Sequence, residues 1–337
     1  MVSIVTPPYR FSMTAQAFLF TDALHPALHT KAARLITRAL SNSARRADDG
    51  AKEAMDILTI QSHVARGHVG LNAAVLPLQL LGFEVDAVPT VVFSNHLGWQ
   101  DYEGRALEPA WVTRVIDGVA RRGLGQCQAL LTGFIGSPEL GDTVIHALDV
   151  LRQANPGALY ACDPVMGNED GFFVEPGVPE YLKDHIVPKA DILFPNHMEL
   201  EFLAGRPVNT ISDALEAARA IQEMGPDTVL VTSLEARAGF PRTIPVIAVD
   251  RHCACQASVE RLDVPVDGAG DLVAAVFTAA TLRGAALPDA LAHALAATHG
   301  IMRKTAECNA EELALVSGRE EIVNPSEPVD VTLIDAS

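Results

Sequence analysis

The stretch Val266-Asp267-Gly268-Ala269-Gly270-Asp271-Leu272 holds the residue types best suited to chemistry in this 337-residue chain. Glycines just ahead of a helix let backbone N–H groups close on an anion, and the helix N-terminus adds a favourable positive potential. The small-residue run Val273-Ala274-Ala275-Val276-Phe277 that follows reads as that helix, so the segment can cradle a phosphate. An acid in a first turn also caps a helix, and on this segment alone both readings stand.

Asn196-His197-Met198-Glu199 follows an apolar strand and Pro195, and a spacing of three puts the Asn196 and Glu199 side chains on one helix face. Both can address a hydrated magnesium ion, since a small hard cation takes oxygen ligands and keeps several of its waters. The same residues also fit an N-cap with an acidic first turn. Asp163, ahead of Pro164-Val165-Met166-Gly167, is another acid at a strand end, where it serves as a ligand or as a turn residue. In Gln61-Ser62-His63-Val64-Ala65-Arg66-Gly67-His68-Val69-Gly70, Ser62 is placed to stand over a ligand pocket. His63 and His68 lack a third ligand at metal-binding spacing and read as ordinary hydrogen-bonding residues.

These residues need a scaffold that gathers strand ends. From Asp56 onward, short apolar runs bounded by turn residues alternate with stretches of helical period, the pattern of parallel strands joined by crossover helices. Strands are predicted at Ile57–Gln61, Glu84–Val92, Ala129–Thr132, Leu159–Cys162, Ile192–Phe194 and Thr228–Thr232, and helices at Val69–Leu81, Pro109–Arg121, Gly141–Gln153, Ile211–Met224 and Gly270–Leu282. The expected fold is α/β, and in open sheets of this kind ligands sit beyond the carboxyl ends of the strands.

Composition narrows the function classes. A formal charge of −17 argues against a nucleic-acid-binding surface, which draws its affinity from clustered Lys and Arg. No run approaches the roughly 20 apolar residues of a membrane helix, so no membrane role is expected. Five cysteines, an odd number, with Cys253-Ala-Cys255 lacking a second pair, read as reduced thiols in a cytosol-like compartment rather than disulfides or a zinc site. Residues 1–47 set six Arg or Lys against the single acid Asp22. That composition suits organelle targeting, a mobile tail, or sequence upstream of a start at Met55, so 1–54 is expected to be an extension and 55–337 the folded domain.

The ordered motifs resemble those of the pyridoxal kinase family, within the ribokinase-like superfamily. The match rests on Gln61-Ser62-His63-Val64 with Gly67 and Gly70, Phe93-Ser94-Asn95-His96, Leu131-Thr132-Gly133, Cys162 to Gly167, Pro195-Asn196 with Glu199, and Gly268-Ala269-Gly270-Asp271, and runs to Ile322-Val323-Asn324-Pro325. The resemblance implies a central, mostly parallel sheet with helices on both faces, and ATP-dependent phosphorylation of the 5′-hydroxymethyl group of pyridoxal, pyridoxine or pyridoxamine. By position, Asp271 would be the catalytic base, Gly268, Ala269 and Gly270 the anion hole, and Ser62, with Leu97 and Phe134, the substrate contacts. Asp163, Glu199 and Thr232 would surround the nucleotide and its Mg²⁺, with Asn196 behind them. A homodimer in the cytoplasm is implied too, and the resemblance leaves room for a monovalent cation.

Three departures bear on the acceptor. The family commonly continues Phe-Ser-Asn-His with Thr-Gly-Tyr, where this chain has Leu97-Gly98-Trp99, and it commonly has Tyr where this chain has Phe134. Asp267 also places a negative charge beside the glycines, which repels phosphate unless the side chain turns away or binds a cation. Another hydroxymethyl heterocycle, such as the pyrimidine of thiamine synthesis, therefore stays open as acceptor, as does a non-catalytic vitamer- or nucleotide-binding role. Asp271 itself is expected to keep an ordinary, low carboxylate pKa.

Overall fold

Successive apolar residues on the central strands must face opposite sides of a sheet, so runs such as Ala129-Leu130-Leu131 require a helical layer on both faces. The computed structural model describes residues 55–99, 101–234 and 242–334. The expectations for residues 1–54 lie outside them.

Strands β1 (Met55–Val64), β2 (Phe83–Phe93), β4 (Cys127–Thr132), β5 (Leu159–Cys162), β8 (Ile192–Leu193) and β9 (Thr228–Val231) pair in parallel in the order β9-β8-β5-β4-β1-β2. Antiparallel strands extend both edges: β3 (Gly104–Ala106) on β2, and β10 (Thr243–Val249), β11 (Ala254–Glu260) and β12 (Val331–Ile334) beyond β9. Ten strands of the described residues thus form one sheet, and β6 (Gly167–Asn168) and β7 (Gly171–Phe172) make a separate hairpin.

The helices α1 (Leu71–Leu80), α6 (Ala269–Leu282) and α7 (Leu287–Glu307) pack on the face that carries Ile57, Ala129, Leu131, Leu159 and Ala161. Leu58, Leu130, Tyr160 and Cys162 point the other way, into α2 (Pro109–Ala120), α3 (Pro138–Ala154), α4 (His197–Ala204) and α5 (Ile211–Met224). The mostly parallel α/β architecture expected from the sequence is the one present.

Element boundaries differ where caps decide them. Helix α3 starts at Pro138 rather than Gly141, because Ser137 accepts the Leu140 N–H at 3.3 Å and proline suits a first helical position. Helix α5 opens on a capping box in which Thr210 and Asp213 exchange hydrogen bonds. The sequence reading places no strand after Thr232 and no helix after Leu282, whereas the structure adds β10 to β12 and the 21-residue α7. The β10–β11 turn is closed by Asp250, whose carboxylate accepts the N–H groups of His252 and Cys253 at 2.7 Å each.

Candidate active site

Apart from the glycine turn, the residues singled out in the sequence lie at or after the ends of the six parallel strands, and the parallel run of the sheet brings those ends to one edge. At β1 the ladder to β2 slips between Gln61 and His63, with one extra residue taken up in β2 after Pro89, which has no N–H to donate. Ser62 sits at this irregularity. The loop then turns back at Gly70, whose φ of 55° lies in the left-handed region and whose added Cβ would stand 2.3 Å from Ser62 Oγ. Only glycine lets the loop close on Ser62 there.

Gly70 also makes the connection to the phosphate-cradle segment: its N–H donates to Asp271 Oδ2 at 2.9 Å. Helix α6 begins at Ala269 with Gly268 as its N-cap, so Gly270 and Asp271 lie in the first turn, where an α-helix leaves its N–H groups without intrahelical partners. Gly268 has φ 93°, and a Cβ on it would lie 2.0 Å from the His68 carbonyl oxygen. The structure therefore sets Ser62, Gly70, Gly268 and Asp271 side by side, although the two segments are some two hundred residues apart.

Asp163 and Glu199 complete an acidic cluster with Asp271. Asp163 is buried beyond β5, with its N–H on the Thr132 carbonyl at 2.8 Å. Burial pushes its pKa well above the ordinary aspartate value, and the charges of Glu199 and Asp271 push the same way. Glu199 is raised to about 7 by burial, an effect opposed by backbone N–H donors from Asn196, Met166 and Gly167. Asp271 is not the low-pKa carboxylate expected from sequence. Burial raises it to about 6, the Gly70 N–H pulls it down, and the Asp267 charge pushes it up. Its burial, invisible along the chain, is the reason for the difference.

Among the described residues none of these three acids is ion-paired, and no three His, Cys, Asp or Glu side chains form a direct metal cage. Buried carboxylates without a counter-charge suit a divalent cation that keeps its waters and leans on substrate phosphates. The donor set fits magnesium in that form, with Asp163 as the carboxylate whose side chain no protein hydrogen-bond donor among the described residues engages.

Glu199 has a second occupation. Its Oε1 accepts the Met166 N–H and its Oε2 the Asn196 N–H, both at 2.9 Å, while Asn196 Oδ1 accepts the Glu199 N–H at 3.0 Å. This is a capping box at the start of α4, and Asn196 Nδ2 donates onward to the Gly167 carbonyl at 2.7 Å. The N-cap reading of Asn196 to Glu199 is the one these hydrogen bonds show. Glu199→Gln should leave one of two buried N–H groups facing an amide NH₂, a cost of about 1–3 kcal/mol. A lowered melting temperature is expected, together with a higher Mg²⁺ concentration for half-maximal rate. A magnesium titration unchanged beside a lowered melt would restrict Glu199 to the helix start.

Thr232 follows β9, half-buried, and its N–H donates to the Pro195 carbonyl at 3.0 Å, which places it beside the α4 start. Phe134 follows β4 and its carbonyl accepts Thr90 Oγ1 at 2.8 Å. Leu97 lies exposed in the loop after β2. No hydrogen bond or ring contact among the described residues joins Leu97 or Phe134 to Asp271. Asp267 Oδ2 lies 3.3 Å from His96 Nε2. The sequence reading missed that pairing and the Gly70 to Asp271 bond. The closely spaced Gly67 and Gly70 were its only signal of a chain about to pack on another backbone.

The family model described as phosphomethylpyrimidine kinase matches residues 69–315. The chain is 45% identical over 274 residues to a pyridoxal kinase, PdxY, of Rubrobacter xylanophilus, covering 80% of this chain and 94% of that one. It is 42% identical over 273 residues to the PdxY of Corynebacterium diphtheriae, covering 80% and 96%. Among solved structures, pyridoxal kinase from Leishmania donovani in complex with ADP and pyridoxine superposes with a TM-score of 0.79 at 27% identity, over 84% of this chain and all of that one.

Proposed function

The chain belongs to the pyridoxal kinase family, and from that premise we propose that it transfers the γ-phosphoryl group of ATP to the 5′-hydroxymethyl oxygen of pyridoxal, pyridoxine or pyridoxamine, releasing ADP. The observation that carries the reading is the placement of Asp271 in the first turn of α6, held by the Gly70 N–H beside Ser62.

Phosphoryl transfer asks the protein for in-line positioning and charge neutralisation more than for covalent participation. Asp271, with a pKa of about 6, is ionised at neutral pH and takes the hydroxyl proton as the oxygen bonds to phosphorus and the bond to ADP breaks. The Gly70 N–H fixes the other side of that carboxylate, so its orientation does not depend on the acceptor. The backbone N–H groups of Gly268 to Gly270 face the transferring phosphoryl oxygens as an anion hole. Ser62 contacts the pyridine ring, with Leu97 and Phe134 as pocket walls that offer shape in place of polar contacts. Asp163, Glu199 and Thr232 surround the nucleotide end, with Asn196 holding Glu199 in place. Asp163 and Glu199 would hold a hydrated magnesium ion, which would supply charge neutralisation for the phosphates. Local dipoles and a metal explain how a chain of net charge −17 takes up ATP without a basic patch.

A homodimer and a cytoplasmic setting accompany this reading as expectations, and a monovalent cation is left to titration with K⁺ and Na⁺. No described helix is long and apolar enough to cross a membrane.

ADP release measured at fixed MgATP with the three vitamers and with hydroxymethylpyrimidine tests the proposal. Pyridoxal, pyridoxine or pyridoxamine should support the highest kcat/KM. Preference for the pyrimidine would move the acceptor to the second heterocycle, which the name of the matching family model favours. Binding of pyridoxal without ADP release from any acceptor would leave a non-catalytic binding protein.

A further inference from the structure

Asp267 is the one charged residue in the glycine turn that the phosphoryl-transfer machinery does not use, and the structure gives it a specific partner. Its Oδ2 lies 3.3 Å from His96 Nε2. His96 Nδ1 accepts the Gly98 N–H at 3.1 Å. In a neutral imidazole the proton then sits on Nε2, the nitrogen nearer Asp267, so the Gly98 N–H holds one side of the ring and the Asp267 carboxylate lies against the other.

The loop is folded tightly round this ring. A Cβ on Gly98 would come within 2.7 Å of His96 Cε1. Trp99 meets the imidazole edge-on, at 6.0 Å and 71°, and the Arg66 guanidinium lies 6.0 Å from the Trp99 ring. The His96 side chain is 15% exposed against 66% for Asp267, so one partner is largely out of water and the contact is more than a solvated surface pair. The pairing joins the loop leaving β2 to the turn entering α6. Leu97 is the next residue on the first, and Asp271 stands four residues along on the second.

We propose that the close polar contact between His96 and Asp267 is a clasp that sets the acceptor-side loop 94–99 against the glycine turn 266–270, making both side chains positioning residues for the transfer. The kinetic consequence rests on the kinase reading above, while the mechanical one does not. Opening the clasp loosens the acceptor wall and leaves the nucleotide side, built on Asp163, Glu199 and Thr232, as it was.

Hydrogen–deuterium exchange and steady-state kinetics on the full chain test this with Asp267→Ala, His96→Ala, Asp267→Asn and the double alanine variant. Asp267→Ala and His96→Ala should each speed amide exchange in 94–99 by roughly 3- to 10-fold, the range one close polar contact supplies, with the central strands unchanged. KM for pyridoxal should rise by a similar factor, with kcat and KM for ATP within about twofold. Asp267→Asn keeps an acceptor oxygen for Nε2–H and should stay near the parent in both readouts. The double variant should be no worse than either single, because both remove one contact. Asp267→Ala with parental exchange and parental KM for pyridoxal would overturn the clasp, as would single effects that multiply in the double variant. A parent protein that releases no ADP with pyridoxal would overturn the kinase reading, and the exchange pattern would still decide the clasp. Asp267 is exposed, so its variants are expected to fold, and a melting curve for each checks this.

Discussion

Asp271→Asn should turn over pyridoxal on the order of 10² to 10⁴ times more slowly than the parent while binding ATP and pyridoxal within a few-fold, the usual scale of losing a general base. The substitution is nearly isosteric, and the amide oxygen still accepts the Gly70 N–H, so the α6 turn should survive. What disappears is the capacity to take the hydroxyl proton, which is used only as the new bond to phosphorus forms. Turnover within about threefold of the parent would remove Asp271 from the role of base.

The raised pKa of Asp271 adds a pH signature. The base must be ionised, so parental kcat should fall as pH drops through about 6, a limb that Asp271→Asn should lack. Stability has the opposite sign. Between the ordinary aspartate value of 3.8 and about 6, the folded protein holds a proton on Asp271 that the unfolded chain has released. This carboxyl therefore contributes stability at low pH that is lost as pH rises through that window. Asp271→Asn removes the buried charge, and its melting temperature at pH 7 should be no lower than the parent's.

Gly268→Ala should be the most damaging single methyl group in the site. The backbone there has φ 93°, which costs a non-glycine residue about 1–3 kcal/mol, and the new Cβ would lie 2.0 Å from the His68 carbonyl oxygen. A backbone oxygen cannot swing aside as a side chain can, so the α6 N-terminus and the loop carrying Gly70 must separate. The hydrogen bond from Gly70 to Asp271 would be strained with them. The expected result is a fall in melting temperature of roughly 5–10 °C, from a few kcal/mol in a domain of this size, and a large loss of turnover. Gly284→Ala is the matched control, since Gly284 has φ 85° with no atom within 4 Å of an added Cβ. It should show the conformational cost alone and keep its activity. If Gly268→Ala melts and turns over like Gly284→Ala, the close approach at His68 does not matter to the site.

How much of this was legible from sequence depended on the range of the interaction. Periodicity marked β1, β2, β4, β5 and α5 because alternation and helical spacing are local consequences of which face is buried. Glycine and acid spacing likewise picked out Gly268 to Asp271 and Asn196 with Glu199, since a helix start is built within four residues. The edge strand β12 escaped because its partner β11 lies far back along the chain, whereas the hairpin β10–β11 and helix α7 pair with sequence neighbours and were simply not picked out. Ser62, Asp163 and Thr232 could be placed at strand ends, yet no local rule says which strand ends become neighbours.

The sequence by itself therefore determined the layered α/β class, the glycine turn ahead of α6 and the residue types available for phosphate and metal, all of which are written in short-range spacing. Tertiary structure alone decided the state of those residues. Packing of the 62–70 loop against α6 set the Gly70 N–H on Asp271 and raised its pKa, and the gathering of strand ends buried Asp163 and Glu199 together. The approach of the 94–99 loop brought His96 against Asp267. Desolvation and hydrogen-bond geometry depend on what the rest of the chain brings to a point in space, and no spacing along one strand or helix contains that information.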